Sequence, residues 1–167
     1  MMRLRHILTG LLTLALVFII VGCSSTPSRR SVEIPTTSSM TPLQKKVIAA
    51  AKKRLGVPYC YGGTGSCMDC SGLMVTIFQD IGIRLPRSSS QQYSLGKEID
   101  PDEATVGDLV FFRNKAGTIN HVGLYVGENN VLHASSSRGV IIQPLTDSYL
   151  ANGFAGMRRY LPDHAIN

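Results

Sequence analysis

No tryptophan occurs in these 167 residues, aromatic side chains make up 7% and charged ones 17%, and each shortage removes a class of function. A nucleic-acid surface needs basic runs interleaved with aromatics, and here the 17 Lys and Arg residues are scattered. No segment repeats, which excludes solenoids and propellers. No apolar run is long and suitably flanked enough to read as a membrane span. Basic residues outnumber the 11 acidic ones by six. Setting aside Arg3 and Arg5 in the leader leaves a balance of about +4, small enough to be a solvated surface.

What is present begins with an export pattern. Arg3, Arg5 and His6 form a basic head, and Ile7 to Val21 follow without a charge. The run ends in Ile20-Val21-Gly22-Cys23 with small polar residues after it. This resembles the lipobox of bacterial lipoproteins, in which the Cys is lipidated and becomes the new N-terminus. The resemblance implies a signal peptide over 1–22 and an acylated Cys23 that holds the protein to a membrane, facing an extracytoplasmic space. Ser24 and Ser25 after the Cys imply the outer membrane, facing the periplasm, in an organism with two membranes. Residues 23–40 are rich in Ser, Thr, Pro and Arg and poor in apolar side chains, which predicts a flexible tether.

Residues 41–163 are one domain's worth of chain, followed by a short tail over 164–167. Thr41 as N-cap, Pro42, and then Leu43, Val47, Ala50, Ala51 and Leu55 predict a helix ending at Gly56. Tyr61-Gly62-Gly63-Thr64-Gly65 must be loop. Leu73 to Phe78 runs on to Gly82 without strict alternation, which predicts a buried helix capped by Asp69 or Ser71. Pro86 to Gln92 reads as a polar turn region. Beyond it the period changes: Asp108 to Arg113, Val122 to Gly127, Val131 to Ala134 and Val140 to Gln143 are short, β-branched and punctuated by Gly, Asn and Ser, with Phe154 to Leu161 a final strand. Helices first and strands later make an α+β order.

A hydrolytic cysteine needs a neighbouring imidazole, something to orient it, and donors for an oxyanion. Cys70 sits where the Gly-rich loop enters the second helix, a position that lowers a thiol pKa and offers unpaired amides. With His6 in the leader and His164 in the tail, His121 and His133 are the imidazole candidates on the strand half.

Tyr59-Cys60-Tyr61-Gly62-Gly63, Asp69-Cys70-Ser71-Gly72, Leu85-Pro86-Arg87-Ser88-Ser89, Gly107 to Phe112, His121 to Gly127 and His133-Ala134-Ser135 occur in that order. This set resembles the NlpC-type family of bacterial cell-wall peptidases. The resemblance implies a papain-like fold, with N-terminal helices, the nucleophile at a helix start, packed on an antiparallel β-sheet. It implies Cys70 as nucleophile, His121 as base and acid, and His133 as the residue that orients His121. It further implies Tyr59 at the oxyanion and Asp69 and Ser71 in contact with substrate. The implied partner is the stem peptide of peptidoglycan, cut through a thioester with no metal or cofactor, at a D-glutamyl–diaminopimelate bond or a D-alanyl cross-link. A silent wall-binding lipoprotein, or an amidase or acyltransferase on the same fold, are the alternatives.

Cys60 and Cys67 depart from the family's commonest pattern. In an oxidising compartment they would bridge and staple the loop ahead of Cys70. Cys67-Met68-Asp69-Cys70 also has the spacing of a zinc half-site or a redox pair, although no second clustered pair follows it. Two inert thiols are the remaining reading.

Overall fold

The computed structural model describes residues 40–162. The expected signal peptide, Cys23, most of the tether, Asp163 and the tail lie outside the described residues. Met40, assigned by composition to the tether, is instead buried at 8% exposure in the same cluster as Val47 and Ile48.

Helix α1, Pro42–Lys52, starts as its sequence requires. The Gln44 amide donates to Thr41 Oγ1 at 3.2 Å and the Thr41 amide to Gln44 Oε1 at 2.9 Å, closing a reciprocal cap. The helix stops four residues short of Gly56. The reason lies in the sheet: the Gly56 amide donates to the Val140 carbonyl (2.9 Å), and the Val140 amide donates to Val57 (2.9 Å). Those backbone groups serve the sheet edge and are lost to the helix. Arg54, just past the helix end, pairs with Asp80 at 2.6 Å.

Helix α2, Cys70–Gln79, is capped by Asp69, whose Oδ1 accepts from the Gly72 amide at 2.6 Å. Leu73, Met74, Ile77 and Phe78 are all fully buried. Each such side chain removed from water contributes about 1.5–3 kcal/mol, so α2 is the axis on which the other elements pack. Helix α3, Ser89–Leu95, occupies much of the expected polar turn. It is built on a Ser88–Gln91 cap and on Gln92, which is fully buried and donates to the Pro86 (2.8 Å) and Ser71 (3.3 Å) carbonyls.

Six antiparallel strands follow: β1 Lys97–Ile99, β2 Leu109–Arg113, β3 Ile119–Gly127, β4 Asn130–Ser135, β5 Gly139–Pro144 and β6 Phe154–Arg159, in the order β1-β6-β2-β3-β4-β5. A short helix, α4 Ser148–Ala151, precedes β6. Leu109, Phe111, Val122, Leu124 and Leu132 face the helices. Val110, Phe112, Val131 and Met157 form a second cluster on the opposite face with Leu150 of α4. Burial on both faces explains why β2 reads as an unbroken apolar run. Helices packed on one antiparallel sheet, with Cys70 at a helix start, are the expected α+β, papain-like arrangement.

Candidate active site

Cys70 is the first residue of α2 and is 9% exposed. Its Sγ lies 3.9 Å from the Asn120 carbonyl oxygen, so the sulfur is held against the part of β3 that carries His121. The register explains the fit. Phe112 faces His121 and Arg113 faces Ile119, so Asn120 is an extra residue, a bulge that re-aims the strand beside Cys70. Burial pushes the Cys70 thiol up, aided by the Asp69 charge and against amide donation from Val122, Ser71 and Cys70 itself. The helix start alone leads one to expect a lowered thiol; the loss of water outweighs it.

Alternation along β3 puts Val122 and Leu124 toward the helices and His121, Gly123 and Tyr125 on the other face. Gly123 lies directly opposite His133 on β4. A Cβ on Gly123 would press on Val131 and on the His133 Cβ. With no side chain there, His121 reaches diagonally and its Nε2 sits 3.0 Å from His133 Nδ1. The same diagonal continues: His133 Nε2 lies 3.2 Å from Gln143 Oε1 on β5, which also accepts from Arg138 Nη2 at 2.6 Å. Arg138 belongs to the turn between β4 and β5. Burial pulls His121 down to about 3, with His133 adding to the effect. Burial likewise lowers His133, against the Gln143 bond.

Asp69 and Ser71 spend their polar atoms inside the protein. Asp69 Oδ2 meets Arg87 Nη2 at 2.6 Å and the Gly62 amide at 2.9 Å; Oδ1 meets Gly72 and Ser71. Arg87 also donates to Ser71 Oγ at 2.9 Å. Burial opposes the Asp69 charge, but the Arg87 and Gly72 donors overcome it and hold the carboxyl below its ordinary range. At 7% and 6% exposed, Asp69 and Ser71 brace the start of α2, and Arg87, whose role no local pattern announces, is the residue that satisfies both. Tyr59 is half-buried; it is held by a bridge to Met68, two residues before Cys70. Burial and the proximity of Cys70 raise its phenol.

Cys60 and Cys67 are bridged, with Cα atoms 5.4 Å apart, and Cys70 is the one free cysteine among the described residues. The bridged loop presses directly on α2: a Cβ on Gly72 would run into the Gly63 carbonyl oxygen, and one on Gly63 into Cys60 Sγ. The zinc and redox readings both required Cys67 to act with Cys70, and here Cys67 is committed to Cys60. Reducing the bridge should lower stability by about 2–3 kcal/mol, read as a fall in melting temperature. In unreduced peptide maps Cys60 and Cys67 should appear as one linked species, with Cys70 free to react with an alkylator. A Cys67–Cys70 link in the map would overturn this pairing.

Two recesses meet at His121. One, of about 350 Å³, is lined by Tyr59, His121, His133, Arg138, Asp147 and Tyr149. The other, of about 370 Å³, is lined by Phe112, Arg113, Asn120, His121, Tyr149 and Asn152 among others. Tyr149, 69% exposed on α4, belongs to both. An imidazole between two open recesses, on the strand whose Asn120 carbonyl meets the Cys70 sulfur, suits acyl transfer from an extended substrate.

A model of the NlpC/P60 family matches residues 56–159. The chain is 33% identical over 179 aligned residues to the murein DD-endopeptidase/murein LD-carboxypeptidase MepS of Escherichia coli, with 95% of each protein covered. It is 37% identical over 137 residues to a gamma-DL-glutamyl hydrolase of Bacillus subtilis, which covers 80% of this chain; the chain spans only 32% of that relative's length. Among solved structures, an NlpC/P60 family protein from Bacillus cereus superposes with a TM-score of 0.69 at 37% identity, covering 78% of this chain and 42% of that one.

Proposed function

Because the chain belongs to the NlpC/P60 family, we propose that it is a cysteine endopeptidase acting on the peptides of peptidoglycan, with Cys70 as nucleophile, His121 as base and His133 as the group that orients it. The observation that carries this reading is the bond between His121 Nε2 and His133 Nδ1 on the strand that holds the Cys70 sulfur. With Nε2 engaged, Nδ1 is the ring atom left to take the thiol proton.

The steps follow from that geometry. As Sγ attacks the substrate carbonyl carbon, the thiol proton passes to His121 Nδ1 and the carbonyl π electrons move onto oxygen. Amides at the start of α2, with the Tyr59 hydroxyl, stabilise that oxyanion. Collapse breaks the C–N bond, and the leaving amine takes the proton from His121. Water then attacks the thioester, giving its proton to the ring, and the sulfur departs and is reprotonated. Burial favours the neutral thiol at Cys70 and the neutral imidazole at His121, so proton transfer accompanies attack. The two recesses adjoin at His121 and Tyr149, which offers an extended peptide room on both sides of the proposed base and favours internal cleavage.

The proposal includes a lipid at Cys23 and an extracytoplasmic site of action, in the outer membrane of a diderm organism. Its support is the leader pattern and the similarity to a murein enzyme along 95% of the chain. One experiment tests the whole: cells producing the full chain are fractionated, and the fractions are incubated with purified wall. The membrane fraction should release peptides whose new termini, identified by mass, lie at a D-glutamyl–diaminopimelate bond or at a D-alanyl cross-link. Bound but uncut wall would favour the silent binding reading, and a product joined to an added amine the acyltransferase reading. Protein recovered in the cytosol would defeat the anchor.

A further inference from the structure

We propose that Arg138 is a positioning residue that sets which nitrogen of each imidazole carries the proton, acting through the side-chain oxygen of Gln143. This rests on the reading of His121 as the base, and nothing in the family match assigns a role to either residue.

The hydrogen bonds from Arg138 to His121 form a chain of obligations. A guanidinium has only donors and keeps its charge at every working pH. The Gln143 atom 2.6 Å from Arg138 Nη2 must therefore be the carbonyl oxygen. An oxygen only accepts, so His133 Nε2, 3.2 Å from it, must carry hydrogen. A neutral ring has a single N–H, so His133 Nδ1 is bare and accepts. His121 Nε2, 3.0 Å away, must then be the donor. Its Nδ1 is left with the lone pair that a base needs. Each link has one allowed direction, and the direction is imposed from the charged end.

Remove the guanidinium and the constraint disappears. The Gln143 amide can rotate to present its NH₂ to His133, every hydrogen bond in the line reverses, and His121 Nδ1 becomes an N–H that cannot accept the thiol proton. The charge matters as well. Around His133 stand His121, Arg138, Gln143 and Asp147, with Tyr59 and Tyr149 lining the same recess. Arg138 opposes protonation of His133 and Asp147 favours it, so losing Arg138 also raises the ring toward a form with hydrogen on both nitrogens. That form has no acceptor to offer His121.

The test uses the full chain with His6→Gln and His164→Gln, which leaves two histidines to observe by nitrogen-15 NMR. In the parent, both rings should be protonated on Nε2. Arg138→Met should bring in the Nδ1–H forms and lower kcat about ten-fold on wall fragments with KM within about two-fold. Arg138→Lys, which keeps a charged donor, should restore the parent tautomers and most of kcat. Arg138→Met combined with Gln143→Glu should restore the Nε2–H form, because a carboxylate cannot present a donor; its acid limb should move to higher pH, because the new charge favours the imidazolium. Hydrogen on Nδ1 of His133 in the parent would overturn the proposal. So would Arg138→Met with unchanged tautomers and kcat, or Arg138→Lys as impaired as Arg138→Met. If Arg138→Met does not fold, the parent tautomers and Arg138→Lys still decide. A parent with the expected tautomers but no wall hydrolysis would sink the peptidase reading alone.

Discussion

Replacing Cys70 with Ala is expected to cost on the order of 10⁴- to 10⁶-fold in wall hydrolysis, the scale of losing a nucleophile that acts with a base as a unit. Among the described residues no second thiol can substitute, because Cys60 and Cys67 are bridged. The fold should survive: Ala is a strong helix former, and the cap that starts α2 comes from Asp69 and Gly72, which the change leaves alone. The check is the rate of peptide release together with the melting temperature. A variant that stays folded and retains activity within a few-fold of the parent would end the cysteine-peptidase reading.

Loss of His121 should come close to the loss of Cys70, whereas His133→Gln should cost only about ten- to a hundred-fold. In the proposed mechanism His121 takes the proton itself. A Gln at 133 can still offer an oxygen to His121 Nε2 and keep the ring turned. The pH profile adds a second check. Protonating His121 removes its acceptor, so activity falls as pH drops through the pKa of that ring. Burial, reinforced by His133, pulls that value down to about 3, so the acid limb of kcat/KM should lie well below the ordinary histidine range. Burial raises the Cys70 thiol, which moves the alkaline limb above the ordinary thiol range. The neutral pair, and with it the activity, should persist across the plateau between the limbs. An acid limb at or above about 6.5 would show that the imidazole is not held neutral by its surroundings. Finding His133 indispensable and His121 dispensable would show that their roles are exchanged.

The parts of the site that were legible in the sequence are those whose signals are local. Asp69 before an apolar run announces a capped helix, and Cys70 at its start follows directly. The β-branched runs around His121 and His133 mark strands. Helix α3 was not legible by periodicity, because Ser, Gln and Tyr give no apolar stripe; its one local signal was the Ser88–Gln91 capping pair. β1 and α4, at three and four residues, are too short for any period to register. Partners distant in the sequence are harder still. Arg87 meets Asp69 across 18 positions, and Gln143 meets His133 by a diagonal that only the register defines. A hint existed in Val140-Ile141-Ile142-Gln143, where a polar residue closes an apolar strand and must find a partner if it is buried.

β6 lies between β1 and β2, although it is the last strand in the chain. As the chain folds, the neighbours β2 to β5 can pair by short connections, and the eight-residue bridge ahead of α2 closes over a span shorter still. The slot beside β2 stays open until residues 154–159 arrive. Until then β2 presents its unpaired backbone and the side chains of Val110 and Phe112 to whatever is nearby, an invitation to pair with another chain. Filling the slot from so far along the sequence is expected to be the slow, non-local step of folding. A chain cut short after α4 would therefore carry every group of the proposed catalytic line and yet be the form most prone to aggregate.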